Sequence, residues 1–173
     1  LVVVSKFLRT KIEKLLHSHN INYALFDNFD ANPKYEEVEN ALKLFKDNNC
    51  DSIVSLGGGS AIDVAKCVKL FSMMDGTKNY LTQEHKYINL KHIAIPTTAG
   101  TGSESTHFAV IYFEGKKQSV HDDIILPDIA ILDYHLLLSL PIYQKKSTLL
   151  DALCQAIESI WSVNSNAQSK IYA

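Results

Sequence analysis

Residues 53–66 read Ile-Val-Ser-Leu-Gly-Gly-Gly-Ser-Ala-Ile-Asp-Val-Ala-Lys. The apolar start predicts a strand, the three glycines predict a tight turn, and the residues after them predict a helix. Glycines let a ligand approach the backbone closely, and the first N–H groups of a helix have no partner within the helix. Unpaired N–H groups and the positive end of the helix dipole together suit a phosphate. The stretch therefore predicts a strand, a turn and a helix that bind a nucleotide.

This glycine turn (residues 57–60) also has a simpler interpretation. Its spacing is not the G-x-G-x-x-G dinucleotide pattern, because Ile62 stands at the third glycine position, and no Gly-Lys-Ser/Thr of a P-loop follows. A plain strand-to-helix turn, with Ser60 as the N-cap and Asp63 as its reciprocal partner, would fit as well. Three consecutive glycines between a strand and a helix favour the phosphate.

Length and composition limit the class of protein. The 173 residues are enough for one domain, or for one domain and a piece of another, and 46% of them are hydrophobic. A net charge of −2 gives no electrostatic basis for binding nucleic acid or an anionic membrane. No apolar run reaches transmembrane length, and the three cysteines are widely spaced, as in reduced thiols. We expect a cytoplasmic protein with neither nucleic acid nor membrane as a partner.

Hydrophobic periodicity predicts an alternation of strands and helices. Strands are expected over residues 2–4, 23–26, 53–56, 92–95 and 129–132, with helices over 8–18, 34–48 and 61–74 and from Thr148 onward. A hairpin is expected from residues 108–113 and 119–125 around Glu114 and Gly115. Continuous apolar strands separated by helices predict an α/β fold, with a Rossmann-like parallel sheet covered by helices on both faces. A change to pure helix near Pro141 divides the chain into an α/β nucleotide-binding domain (1–140) and a helical segment (141–173).

A second loop rich in small residues follows the strand predicted at 92–95. Residues 96–104 read Pro-Thr-Thr-Ala-Gly-Thr-Gly-Ser-Glu, and we call residues 97–105 the threonine loop. In open α/β sheets, ligands bind in the crevice at the carboxyl ends of the strands. A solvated Ser/Thr/Gly loop would have the same composition. Two such loops after two neighbouring strands nevertheless favour a ligand between them.

The helix predicted from Thr148 carries a polar stripe. Asp151, Gln155 and Glu158 fall on one face at i, i+4 and i+7. A solvated face, with Asp151 as a capping residue behind Thr148, is the ordinary explanation. A metal site requires the stripe to face a second domain. The seven histidines are scattered along the sequence and form no ligand pattern.

Taken together, these segments resemble the iron-containing (group III) alcohol dehydrogenase family. The resemblance rests on residues 57–66 and 96–104, on Leu-Pro-Asp at 126–128 with Leu-Asp at 132–133, and on the helix from Asp151 to Glu158. Residues 151–165 look most like the phosphonoacetaldehyde reductase (hydroxyethylphosphonate dehydrogenase) branch. The resemblance implies a dehydroquinate synthase-like nucleotide domain followed by an all-helical domain, with the active site between them. It also implies that this chain is a fragment lacking most of the helical domain.

The same resemblance assigns roles to individual residues. The pyrophosphate of the cofactor would lie at Gly57, Gly58, Gly59 and Ser60, with Thr97, Thr98 and Thr106 along the nicotinamide and ribose. Asp63, Thr101 and Lys117 complete the cofactor-binding set, and Lys117 would bind cofactor hydroxyls. Asp151 and Gln155 are the metal-ligand candidates, for Fe²⁺ or Zn²⁺.

Two positions depart from the family pattern. Gln155 stands where the family commonly has histidine, so either the metal site is altered or Gln155 binds substrate. Ser5 and Lys6 stand where many NAD-using members have an acidic residue that holds the adenosine ribose. Lys6 leaves room for a 2′-phosphate, so NAD and NADP are both candidates.

The resemblance implies metal-assisted hydride transfer between a nicotinamide cofactor and a small primary alcohol or aldehyde, in the phosphonate branch phosphonoacetaldehyde. It allows a homo-oligomer. Two alternatives remain: a non-catalytic nucleotide-binding module or pseudoenzyme, which Gln155 favours, and a lyase of the dehydroquinate synthase type.

Overall fold

The computed structural model describes all residues from Leu1 to Ala173. Its strands are β1 (Val2–Val4), β2 (Leu25–Phe26), β3 (Ser52–Gly57), β4 (Lys91–Pro96), β5 (Phe108–Phe113), β6 (Lys116–His121) and β7 (Ile129–Ala130). Its helices are α1 (Arg9–Ser18), α2 (Tyr35–Asp47), α3 (Gly59–Phe71), α4 (His135–Leu138), α5 (Ile142–Trp161) and α6 (Ala167–Tyr172). Five strands form one parallel sheet in the order β2-β1-β3-β4-β7, and β5 pairs with β6 in an antiparallel hairpin.

Helices cover both faces of the parallel sheet, because successive side chains of a strand point to opposite faces. Val3 belongs to the larger apolar cluster, which includes Val38 of α2 and Val64 of α3. Val2 and Val4 belong to a smaller cluster, against which Ile12 of α1 packs. The predicted fold class is therefore confirmed, with α2 and α3 on one face and α1 on the other.

Most predicted elements are confirmed, with shifts of up to three residues at their ends, but the second arm of the hairpin is misplaced. It was expected at residues 119–125 and runs from Lys116 to His121. Glu114 and Gly115 both have positive φ (50° and 73°), so they alone make the turn and β6 begins directly after them. Residues 123–125 form a short 3₁₀ turn that buries Ile125. The strands expected at 23–26 and 129–132 shorten to two residues each.

The start of α5 corrects another prediction. The helix begins at Ile142, with Pro141 at its N-cap position, and not near Thr148. Proline breaks a helix interior but is tolerated at a helix start, where a missing N–H costs nothing. Asp151 is consequently in the third turn of the helix, and its interpretation as a capping residue behind Thr148 is wrong. The Thr148 hydroxyl instead donates to the carbonyl of Gln144, at 3.0 Å.

The C-terminal helices differ from the others in burial. None of the residues of α4, α5 or α6 is buried. The apolar stripe of α5 is open to solvent: Leu149, Leu150, Leu153, Ile160 and Trp161 are all exposed. None of the helices combines the length and the apolar character needed to cross a bilayer.

Asp128, which directly precedes the edge strand β7, forms hydrogen bonds with both α3 and β4. Its carboxylate accepts hydrogen bonds from Lys69 Nζ (2.9 Å), Lys91 Nζ (2.8 Å) and the backbone N–H of His92 (3.0 Å). Partial burial alone would raise the pKa of Asp128, but the bonds from Lys91, His92 and Lys69 outweigh it and hold the pKa well below its usual range. Because Lys69 is almost fully buried, this carboxylate is its compensating charge.

We predict that Asp128→Asn lowers the free energy of unfolding at pH 7 by roughly 2–4 kcal/mol, because the buried Lys69 loses its counter-ion. Lys91→Ala, which removes only the exposed partner, should cost less than about 1 kcal/mol. A depressed carboxyl pKa stabilises above the unfolded pKa of about 4 and loses that effect as the pH falls below it. The gap between wild type and Asp128→Asn in urea unfolding should therefore narrow below pH 4; a constant gap would contradict this role.

Candidate functional site

The two small-residue loops lie side by side and line a cleft of about 490 Å³, within the size range of ligand sites. Gly57 and Pro96 are paired at the ends of the neighbouring strands β3 and β4, so both loops leave the same edge of the sheet. The cleft is lined by Gly58, Gly59, Ser60, Thr97, Thr98 and Thr101. A second wall comes from residues 5–7 and from Asp27 to Ala31, and a third comes from Leu140, Pro141, Gln144 and Thr148. The cleft lies at the carboxyl ends of the strands, as parallel α/β sheets require.

Backbone N–H groups are available at the glycine turn. The first residue of α3 is Gly59 and its N-cap is Gly58, with no side-chain hydrogen bond at the cap. The N–H groups of Gly58, Gly59 and Ser60 donate to no acceptor in the protein. The interpretation of Ser60 as an N-cap paired with Asp63 is therefore wrong. The turn instead presents free donors at a helix N-terminus, which is the chemistry of an anion site.

Asp63 does not face this cleft. Its two carboxylate oxygens accept from Ser103 Oγ (2.8 Å) and from the backbone N–H of Val110 (3.1 Å). Burial raises the pKa of Asp63, and the hydrogen bonds from Ser103 and Val110 oppose that effect. The Asp63 side chain therefore links α3 by hydrogen bonds to Ser103 in the threonine loop and to Val110 in β5.

The glycines also allow the loops to pack closely. A Cβ at Gly57 would lie 2.4 Å from Ser5 Oγ, which is closer than atoms can approach. A Cβ at Gly59 would lie 3.1 Å from a Thr101 methyl group, and one at Gly58 would lie 3.3 Å from Thr98. The backbone of the turn therefore contacts the threonine loop where side chains would separate the two.

Thr97 supplies an unpaired polar atom at the floor of the cleft. The residue is 1% exposed, its N–H donates to the carbonyl of Gly57 at 2.9 Å, and its hydroxyl has no hydrogen-bond partner. A buried polar group without a partner is costly, and such groups in folded proteins call for an explanation. A polar ligand in the cleft would satisfy it.

A second cavity, of about 400 Å³, adjoins the cleft. Gly59, Ser60 and Thr101 line both of them. Thr106, Lys117, Asp63 and Asp151 line the second cavity only. The structure thus gathers ten of the twelve candidate residues around two adjoining spaces; Gly57 and Gln155 line neither of them.

The metal-ligand candidates do not form a metal site by themselves. Gln155 Nε2 donates to Asp151 Oδ2 at 2.9 Å, so the amide shows its donor to the carboxylate. No three His, Cys, Asp or Glu side chains in the chain are arranged to hold a metal ion. Two residues are fewer than a catalytic metal requires.

Histidines that are far apart in sequence meet in the structure. An open pocket is lined only by His85, His107, His121, Asp122 and Asp123. His85 Nδ1 lies 2.6 Å from Asp122, and His107 Nδ1 lies 3.2 Å from Asp123. No sequence spacing predicts this cluster, because the long connection between α3 and β4, which carries His85, reaches the hairpin only through the tertiary fold.

Lys66 is a further polar residue that the sequence analysis did not single out. It is completely buried on α3, and its ammonium donates to Ser103 Oγ (3.1 Å), Thr106 Oγ1 (3.3 Å) and the carbonyl of Phe108 (2.7 Å). Burial lowers the pKa of Lys66 to about 8, although the nearby Asp63 carboxylate acts in the opposite direction. Lys66 therefore links α3 by hydrogen bonds to Ser103 in the threonine loop and to Thr106 and Phe108 just after it.

Comparison with known proteins decides the family. The sequence model of iron-containing alcohol dehydrogenases matches residues 1–134, more than three-quarters of the chain. This chain belongs to the iron-containing alcohol dehydrogenase family. The match spans the parallel sheet, both loops of the cleft and the hairpin.

Individual relatives agree with this assignment. The chain is 36% identical over 163 residues to alcohol dehydrogenase 4 of Saccharomyces cerevisiae, covering 92% of this chain and 43% of that protein. It is 34% identical over 172 residues to the NAD-dependent methanol dehydrogenase of Bacillus methanolicus, with 92% and 44% covered. Sulfoacetaldehyde reductase from Bifidobacterium kashiwanohense, solved with NAD⁺, superposes with a TM-score of 0.84 at 33% identity, over 93% of this chain and 45% of that one. The chain thus spans less than half the length of these relatives.

We predict that Gly100→Ala disturbs the wall that α5 contributes to the cleft. The new Cβ would lie 2.3 Å from the carbonyl oxygen of Thr148, and neither backbone can yield as a flexible side chain does. The free energy of unfolding should fall by roughly 1–3 kcal/mol, with faster amide exchange over residues 142–150.

Gly76→Ala is the matched control, because its Cβ would meet only the Tyr80 hydroxyl, at 3.2 Å. Unchanged stability and exchange in Gly100→Ala would show that α5 does not pack on the threonine loop in solution.

Proposed function

We propose that residues 1–140 bind a nicotinamide dinucleotide, and that the full-length protein transfers a hydride between this cofactor and a small primary alcohol or aldehyde. The supporting observation is the set of free N–H groups at residues 58–60, which line the same ligand-sized cleft as Thr97 with its unpaired hydroxyl. Residues 141–173 would begin the helical domain that closes the active site.

The residues present fit the cofactor. The pyrophosphate would accept hydrogen bonds from the N–H groups of Gly58, Gly59 and Ser60, with the α3 dipole favouring its charge. Thr97, Thr98 and Thr101 would bind and orient the adjoining ribose and nicotinamide, and Thr106 and Lys117 would act from the second cavity. We propose that Asp63 contributes through Ser103, because both of its oxygens are already occupied. The bound cofactor supplies the hydride chemistry.

Charges beside residues 5–7 bear on the choice between NAD and NADP. Asp27 is held by both of its oxygens, each 3.0 Å from Arg9 Nη1, and Asp30 pairs with Lys34 at 3.3 Å. Lys6 lines the same end of the cleft and is exposed, and it has no acidic partner. We propose that Lys6 binds the 2′-phosphate, so that the site accepts NADP as well as NAD.

The substrate would be a small aldehyde or the corresponding alcohol. The similarity to sulfoacetaldehyde reductase and to the phosphonoacetaldehyde branch supports an anionic head group. Arg9 pairs with Asp27, which leaves Lys117 as the cation of the second cavity. Asp151 is the proposed ligand of this chain for a divalent metal, Fe²⁺ or Zn²⁺, and Gln155 is the second candidate.

The decisive experiment follows NADH and NADPH absorbance at 340 nm with the full-length protein and with acetaldehyde, sulfoacetaldehyde and phosphonoacetaldehyde, before and after chelation. Turnover that chelation abolishes and Fe²⁺ or Zn²⁺ restores is expected. Nucleotide binding without turnover of any aldehyde would support the non-catalytic alternative, which the Asp151–Gln155 hydrogen bond favours. A protein that binds no nucleotide would refute the proposal.

We predict that Gly58→Val weakens nucleotide binding at least about tenfold, because the branched side chain would occupy the space in front of Thr98. The backbone at Gly58 is extended (φ −76°, ψ −173°), so valine adopts it without strain and the variant tests space in the cleft. Gly76→Ala should bind like the wild type. Titration by nucleotide fluorescence measures both; equal affinity of Gly58→Val and wild type would place the nucleotide elsewhere.

We predict that Lys6→Asp lowers affinity for NADP at least about tenfold while changing affinity for NAD by less than about threefold, because a carboxylate repels the 2′-phosphate. Lys78→Asp makes the same change in net charge on an exposed residue outside the cleft, and should alter neither affinity. Calorimetry with both nucleotides gives the ratio. An unchanged NADP/NAD ratio in Lys6→Asp would remove Lys6 from the site.

A further inference from the structure

Lys66 is a completely buried cation next to the proposed cofactor site, and each of its three ammonium protons is donated in a hydrogen bond. It donates one hydrogen bond each to Ser103 Oγ, Thr106 Oγ1 and the Phe108 carbonyl. The Ser103 hydroxyl in turn donates to Asp63, at 2.8 Å. An ammonium has three protons and no acceptor, so as long as Lys66 is charged it can only donate to these partners.

This arrangement fixes the direction of the Thr106 hydroxyl. Because Thr106 Oγ1 accepts from Lys66, its own proton must point elsewhere. The Thr106 side chain makes no other hydrogen bond in the structure, and Thr106 lines the second cavity together with Lys117 and Asp151. The proton is therefore free to point into that cavity.

We propose that Lys66 is a positioning residue that turns the hydroxyl proton of Thr106 toward the bound nicotinamide nucleotide, so that Thr106 acts as a hydrogen-bond donor to it. This inference rests on the proposed function, because the nucleotide is the ligand that Thr106 would contact. Lys66 itself does not touch the ligand. Lys66 acts through Thr106, because its ammonium donates a hydrogen bond to Thr106 Oγ1.

The charge on Lys66 controls this orientation. A neutral Lys66 amine has a lone pair and can accept the Thr106 proton, which withdraws that proton from the cavity. Asp63 and Cys67 on α3, Glu104 in the threonine loop and His92 on β4 surround the ammonium. Burial raises the pKa of Cys67 and lowers the pKa of His92 to about 3, so both remain neutral between pH 7 and 9. The two carboxylates favour the charged Lys66, and burial outweighs them to bring its pKa to about 8.

Binding and stability should respond to this titration with opposite signs. A lysine whose pKa is lower in the folded than in the unfolded protein releases its proton first when folded, so its contribution to stability rises with pH between about 8 and 10. Nucleotide affinity should fall over the same range, because the donor is lost. A lysine with a merely structural role would give the same rise in stability, because the rise depends only on its lowered pKa, but it would leave the nucleotide affinity unchanged.

The test measures the Kd of NAD and NADP for the full-length protein by calorimetry between pH 6.5 and 9.5. Wild type should bind about five- to tenfold more weakly above pH 8.5 than at pH 7, the loss expected for one hydrogen bond. Thr106→Val should bind weakly at every pH, because it has no hydroxyl to orient. Thr10→Val, on the exposed face of α1, is the matched control and should keep the wild-type profile.

At pH 7, Lys66→Met should bind the nucleotide as weakly as wild type does above pH 8.5. In urea unfolding, the stability of Lys66→Met should not rise between pH 8 and 9.5. If Lys66→Met does not fold, the comparison of wild type with Thr106→Val decides alone. Parallel pH profiles of wild type and Thr106→Val, or affinity independent of pH in both, would overturn the role of Lys66. Absence of nucleotide binding at every pH would instead overturn the proposed function.

Discussion

The structure depends on the close approach of the side chains of Ser5, Thr98 and Thr101 to the bare backbone of the glycine turn. A single added methyl at Gly57 would collide with Ser5, and one at Gly59 would press on Thr101. Side-chain-free positions therefore bring the end of β1, the start of α3 and the threonine loop to one point. The N–H groups of Gly58, Gly59 and Ser60 have no partners in the same turn, so the close packing also leaves the donors of the proposed anion site free.

Buried polar side chains of α3 stabilise the contact between the glycine turn and the threonine loop. Asp63 and Lys66, one turn apart on α3, bind Ser103, Thr106, Val110 and Phe108 between them. Buried charges are tolerated when they are hydrogen-bonded, and here each proton of the Lys66 ammonium and both Asp63 oxygens have partners. The threonine loop is thus held by specific bonds, although small polar residues usually make mobile loops.

The parts of the fold that depend on local pattern could be predicted from the sequence. The three long helices of the α/β region and the buried strands have clear apolar patterns, and Pro33, Gly57 and Pro96 stand close to the start of α2 and the ends of β3 and β4. The start of α5 could not be predicted from Pro141, because proline is compatible with both a break and a helix start. The capping interpretation of Ser60 is wrong because the helix already begins at Gly59, with Gly58 at the N-cap, and because the Asp63 carboxylate accepts from Ser103 instead.

The remaining features of the site join residues that are far apart in sequence. The contacts of Lys66 with Ser103 and Thr106 span 37 and 40 positions, and no spacing rule signals them. The α5 wall of the cleft depends on Gly100 meeting the backbone of Thr148. The residues around the glycine turn could be named in advance, whereas the direction of their hydrogen bonds required the tertiary structure.

Neighbouring residues of one short loop contact opposite sides of the proposed site, since Thr101 lies against Gly59 while Gly100 lies against α5. A change in the angle of α5 is therefore expected to displace the atoms beside the free N–H groups of the proposed site. Thermodynamic reciprocity requires that an occupied cleft bias the helix orientation by the same free energy with which that orientation biases occupancy. If the proposed site binds the cofactor, cofactor retention and the orientation of α5 form one coupled equilibrium, and the contact of Gly100 with Thr148 is where the two meet.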